Sequence, residues 1–65
     1  MFFTKLYTVL SLIDEGQAVT LYVFGETYVS TYESVGVKDI PERYRNNNVT
    51  HICAENGVLE IFIDN

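Results

Sequence analysis

The feature that most restricts the fold of this chain is Asn56-Gly57, set between two apolar-rich runs that together reach from Val49 to Asn65. Both central residues of a type I′ turn need positive φ, and Asn-Gly is the dipeptide that meets this need most readily, so the stretch reads as a β-hairpin. A two-residue loop fixes the register: Glu55 faces Val58, Ala54 faces Leu59, Cys53 faces Glu60, Ile52 faces Ile61, His51 faces Phe62 and Thr50 faces Ile63. Side chains alternate along a strand. One face therefore collects Thr50, Ile52, Ala54, Leu59, Ile61 and Ile63, and the other Val49, His51, Cys53, Val58, Glu60 and Phe62. The only histidine and the only cysteine thus share a face with a cross-strand carboxylate.

Upstream, Leu6, Val9, Leu10 and Ile13 follow the i, i+3, i+4, i+7 spacing of an amphipathic helix, which predicts a helix from Thr4 to Asp14. Thr4 is its expected N-cap and Gly16 its expected terminator. Asp14 and Glu15 then fall at the negative end of the helix dipole, where a cation is preferred, and so are candidates for meeting a basic partner.

Gln17 to Phe24 predicts a strand with Val19, Leu21 and Val23 on one face and Ala18, Thr20, Tyr22 and Phe24 on the other. After a turn at Gly25-Glu26, a second strand sets Tyr28, Ser30, Tyr32 and Ser34 against Thr27, Val29, Thr31, Glu33 and Val35. Pro41 suits the start of a short helical turn, and Asn46 to Asn48 form a polar break before the hairpin.

Short links favour an antiparallel meander. The expected fold is a single α+β domain over residues 1–65, with the N-terminal helix packed on one face of a four-stranded antiparallel sheet and a short helical turn before the C-terminal hairpin. Its other face would hold Tyr22, Phe24, His51, Cys53, Val58 and Phe62 uncovered, unless the turn around Tyr44 folds across it. Tyr22, Phe24, Tyr28, Tyr32 and Phe62 are the candidate anchors for a partner, since such rings bury large areas at low entropic cost.

The chain has 65 residues, 48% of them hydrophobic, too apolar for disorder and without a window resembling a membrane span. With no secretion signal to be read and a single cysteine, the expected compartment is a reducing cytoplasm. A net charge of −5 repels phosphate backbones, so the expected partner is a basic protein surface, with neither nucleic acid nor membrane bound directly.

His51, Cys53 and Glu60 offer nitrogen, sulfur and oxygen donors on opposed strand positions, where Cβ atoms about 5 Å apart can share one ion. Zinc is the metal this donor set suits, with a water, Glu55 or a second chain completing four ligands. The competing reading is an ordinary sheet surface carrying a plain thiol and imidazole. Catalysis is not expected: residues two apart on a strand project in parallel, and no oxyanion hole or phosphate loop is recognisable. Lys38, Arg43 and Arg45 read as a solvated face.

Leu6-Tyr7-Thr8-Val9-Leu10-Ser11-Leu12-Ile13, Ala18-Val19-Thr20-Leu21-Tyr22, Val37-Lys38-Asp39-Ile40-Pro41 and Ala54-Glu55-Asn56-Gly57-Val58-Leu59-Glu60-Ile61 together resemble small hypothetical proteins carried by phages and mobile elements of low-GC Gram-positive bacteria. The shared motifs are structural. The positions of His51 and Cys53 depart from that group's pattern, which has a small polar residue and an aromatic there. Small acidic phage proteins of such hosts include anti-CRISPR inhibitors, so the resemblance implies a non-enzymatic inhibitor that blocks a type II CRISPR effector nuclease in the host cytoplasm, with zinc holding the hairpin or a dimer. The alternative it implies is a homodimeric accessory or regulatory protein of a mobile element.

Overall fold

The computed structural model describes residues 4–25 and 29–64 of the chain. Its backbone forms β1 (Thr4–Lys5), α1 (Leu6–Ser11), β2 (Val19–Phe24), β3 (Val29–Val35), two 3-10 turns at Val37–Asp39 and Glu42–Tyr44, β4 (Asn48–Glu55) and β5 (Val58–Asp64). The five strands make one mixed sheet in the order β1-β4-β5-β2-β3. This is an α+β fold with little helix, and it departs from the four-stranded antiparallel meander in one decisive respect: β2 and β5 are parallel neighbours, in register from Val19 with Leu59 to Phe24 with Asp64.

The reason lies in the link between β3 and β4. A meander needs a tight connection there, but Val37, Ile40 and Tyr44 are apolar and must be buried. Ile40 is 3% exposed, and Val37 and Tyr44 pack against the same core cluster. The segment therefore crosses the sheet instead of turning beside β3, and it delivers the β4–β5 hairpin to the far side of β2. Strand polarity fixes which member of that hairpin goes inside: β5 supplies Ile61 and Ile63, both fully buried, whereas the central residues of β4 are exposed. Parallel pairing goes with burial, and β2 and β5 are the two most apolar strands.

One face of the sheet carries Val19, Leu21, Val23, Ile61 and Ile63, all at 0% exposure, joined by Leu6 and Leu10 of α1. The expected helix from Thr4 to Asp14 is corrected to six residues, and it does not cover that face alone. Thr4 pairs with Val49 as strand, leaving Lys5 at the N-cap with no side-chain cap. The helix ends at Leu12, which keeps right-handed φ and ψ, so Gly16 is not its terminator. Without the cap the helix start is set by tertiary contact: the Leu6 amide donates to the Asn47 carbonyl at 2.9 Å and that of Tyr7 to Arg45 at 2.8 Å.

The Asn56-Gly57 turn has φ of 52° and 78°, and the pairs from Glu55–Val58 to His51–Phe62 match the expected register. Beyond His51 the register shifts, so that Val49, not Thr50, faces Ile63. A second shift separates Val19–Val35 from Leu21–Tyr32. Its cause is Ser34, a non-glycine residue at φ 49°, whose amide donates to Thr20 Oγ1 at 3.2 Å. Each bulge moves one valine: Val49 and Val35 both pack against the core, although strict alternation places them on the opposite face.

Candidate functional site

The face opposite the core is built by alternation from β4, β5 and β2. His51 pairs with Phe62, and Phe62 with Tyr22, so three rings line up across three strands. The Phe62 ring is the hub. Its centroid lies 4.0 Å from that of His51, 4.7 Å from Tyr22 and 5.9 Å from Phe24, with interplanar angles of 16°, 13° and 19°. Near-parallel rings standing on a sheet shield one another's faces and leave their edges to solvent. Phe24, at the end of the row, is 43% exposed.

Glu60 occupies the next row, opposite Cys53 and Thr20. Its Oε1 accepts the Tyr22 hydroxyl at 3.0 Å, and its Oε2 accepts the Cys53 thiol at 3.8 Å. The hydrogen bond to Glu60 is the first cause that raises the Tyr22 phenol above its ordinary pKa, with desolvation, the Glu60 charge and Glu33 adding to it. Desolvation, followed by the charge of Glu60, raises the Cys53 thiol.

The proposed ligand trio is separated by these contacts. The His51 ring is stacked on Phe62 with Nδ1 3.3 Å from Thr50 Oγ1, while Cys53 and Glu60 face each other. Among the described residues, no group of three His, Cys, Asp or Glu side chains converges as a metal site would require. The thiol-to-carboxylate pair could supply two donors of a site, and the His51 ring lies stacked on Phe62 beside them.

Tyr22, Phe24 and Phe62 stand together on this face. Tyr32 does not: it faces Leu21 and packs against the core cluster, with its ring edge-on to Tyr44 at 5.9 Å. It is removed from the anchor set because the parity of β3 relative to β2 places it on the covered side. Tyr28 lies outside the described residues. Asp14 and Glu15 sit in the α1–β2 loop, where Glu15 pairs with Lys38 at 3.8 Å between two exposed side chains, and neither touches the aromatic row. Tyr44, the residue that would have folded across the open face, lies on the other one with Val37 and Ile40.

Lys38, Arg43 and Arg45 belong to the crossing segment that covers the core, together with Asp39 and Glu42, and Arg45 Nε lies 3.6 Å from Glu42 Oε2. Arg43 sits 4.8 Å from the Tyr44 ring centroid and donates to the Tyr44 and Tyr32 hydroxyls, and Arg45 donates to the carbonyls of Val37 and Ile40. The strand registers put Glu33, Glu55, Glu60 and Asp64 on the aromatic side, with Lys5 at the β1 corner beside Asn48. Sequence reasoning missed Glu33, Glu55 and Asp64 as a group, because their common side follows from strand order, which local patterning does not encode.

Among the described residues no pocket is formed and no helix is long and apolar enough to cross a membrane. The candidate site is a surface. Comparison with family models, curated proteins and solved structures finds no match, so no relative links the chain to phage or mobile-element proteins.

Proposed function

We propose that this protein is a non-enzymatic binding module whose aromatic sheet face docks onto a basic surface of a protein partner. The observation that carries this reading is the row His51, Phe62, Tyr22 and Phe24, stacked, part exposed and bordered by four carboxylates against one lysine. Pre-stacked rings lose little rotamer freedom on binding, and aromatic anchors commonly carry most of an interface's energy. Carboxylates around them steer a basic partner and repel nucleic acid.

The resemblance described above supplies a specific partner for this module, a type II CRISPR effector nuclease. Such an enzyme holds nucleic acid in positively charged channels, which an acidic surface of this size can enter. The protein would then be a phage-derived inhibitor acting in the host cytoplasm.

Purified effector, guide RNA and target DNA test the specific reading. Cleavage should fall as this protein is added, and Phe24→Ser should relieve the inhibition at least about tenfold. Full cleavage in the presence of excess protein would remove the nuclease as partner. Loss of inhibition by Asp14→Ser instead of Phe24→Ser would remove the aromatic face as the docking surface.

A further inference from the structure

The two edges of the sheet are unlike. At β3 the edge is interrupted by the Ser34 bulge at φ 49° and carries Glu33, devices that discourage pairing. At the other end β1 pairs with β4 only through Thr4–Val49 and Lys5–Asn48. Among the described residues, the outer side of β4 from His51 to Glu55 therefore has no strand beside it.

The hairpin geometry says which backbone groups that edge presents. In a two-residue loop the flanking pair, here Glu55 and Val58, exchanges both backbone hydrogen bonds. Alternation then turns the N–H and C=O groups of Cys53 and His51 toward β5, and those of Ala54 and Ile52 outward. The Ile52 side chain is 45% exposed beside them, one of the few large hydrophobic residues so placed.

We propose that a second copy of this chain pairs antiparallel along this edge, β4 to β4. Among the described residues the free stretch runs from Thr50, next to the Val49 that β1 pairs, to Glu55 before the Asn56-Gly57 turn, and Cys53 lies near its middle. Two-fold symmetry and the matching of like faces are both met when Cys53 lies opposite Cys53 of the second copy. That register exchanges the outward groups of Ile52 with those of Ala54 of the second copy, and covers the Ile52 side chain. It also sets His51 opposite Glu55 of the second copy, twice by symmetry, where an imidazole N–H can donate to the carboxylate. Two five-stranded sheets become one, and both aromatic rows lie on the same side of it. This interface is independent of the partner docking proposed above, since it uses the edge of β4 and leaves the rings free.

Sedimentation of the full chain under reducing conditions should show a species of twice 7.4 kDa that dissociates on dilution. Ile52→Pro removes an outward N–H without touching the ladder to β5, and should weaken association about tenfold or more while the circular dichroism stays as in the parent chain. Ala54→Lys, at an exposed position of the same edge, should do the same and guards against misfolding of the proline variant. Glutathione disulfide gives a further readout. The two Cys53 thiols lose two protons and two electrons to form one S–S bond between copies, and the glutathione disulfide is reduced to two glutathione thiols. The opposed, non-hydrogen-bonded position suits that bond, with Cα atoms about 4.5 Å apart. A chain that stays monomeric at its highest soluble concentration overturns the proposal. A dimer that both variants leave intact overturns it as well, by placing the interface elsewhere.

Discussion

The two faces of this sheet are made from the same strands and hold different kinds of residue. The covered face is aliphatic, closed by a turn and a half of helix and by a crossing segment, and its side chains Val19, Leu21, Val23, Ile61 and Ile63 are fully buried. The open face is aromatic and acidic, and its rings are satisfied by stacking on each other rather than by a covering layer. The contrast shows that apolar content alone does not define a core. Aliphatic side chains gain from being enclosed, whereas a row of rings standing edge-out keeps much of its packing while still meeting water.

The sharpest way to break this comparison is to truncate one residue on each face. A domain of 65 residues has about 3–10 kcal/mol of stability in all. Leu21→Ala should cost about 2–5 kcal/mol, enough to leave the chain largely unfolded in chemical denaturation. Phe24→Ser, on the open face, should cost less than about 1 kcal/mol by the same measurement. Equal losses would mean that the second face is also a core.

The bulges come next in size. Thr20→Val leaves the Ser34 amide without its acceptor and should cost about 1–3 kcal/mol. It should also raise the hydrogen-exchange rate of Ser34 and Val35 above that of the β2–β5 ladder. Gly57→Ala, at φ 78° with open space around its α-carbon, should cost about 1 kcal/mol of backbone strain and no packing. A larger loss there would mean that the turn carries contacts beyond its own geometry.

The smallest effect is electrostatic. Raised pKa values of Tyr22 and Cys53 mean that the unfolded chain releases these protons at lower pH than the folded one. Their contribution is fully present at neutral pH and is lost as pH rises through and above their ordinary range, about 8.5–10. Glu60→Ala removes the main cause of the Tyr22 shift and a secondary cause of the Cys53 shift. Spectrophotometric titration should then show Tyr22 ionising at lower pH, and Cys53 should alkylate faster at neutral pH. An unchanged Tyr22 titration would contradict the 3.0 Å contact to Glu60.

What the sequence disclosed divides along the same line between local and distant causes. The Asn56-Gly57 turn and the pairs out to His51 and Phe62 are legible because positive φ and alternation are local rules. The bulges are not legible. Thr50 and Ser34 carry no glycine or proline to mark them, and Ser34 adopts its positive φ because Thr20, fourteen residues away, receives its amide. The helix is shorter than its apolar stripe because Ile13 continues the spacing of Leu6, Val9 and Leu10, yet reaches the core from the turn that follows. The parallel pairing of β2 with β5 is likewise distant, although Glu60 is the one polar residue from Val58 to Ile63, a composition that suits a strand inside the sheet. For the site, the grouping of Tyr22, Phe24 and Phe62 was within reach of alternation. The separation of His51 from Cys53 and Glu60 was not, since it depends on which neighbour the imidazole chooses.

Nuclear Overhauser effects from the His51 ring test the central claim, that two bulges and one mixed sheet leave an aromatic row on an uncovered face. The ring protons of His51 should contact those of Phe62, and the Tyr22 ring should contact the other side of Phe62, with no cross-peaks from either to the methyls of Leu6 or Leu10. Cross-peaks between the His51 ring and those methyls would place the histidine beneath the helix and contradict the account.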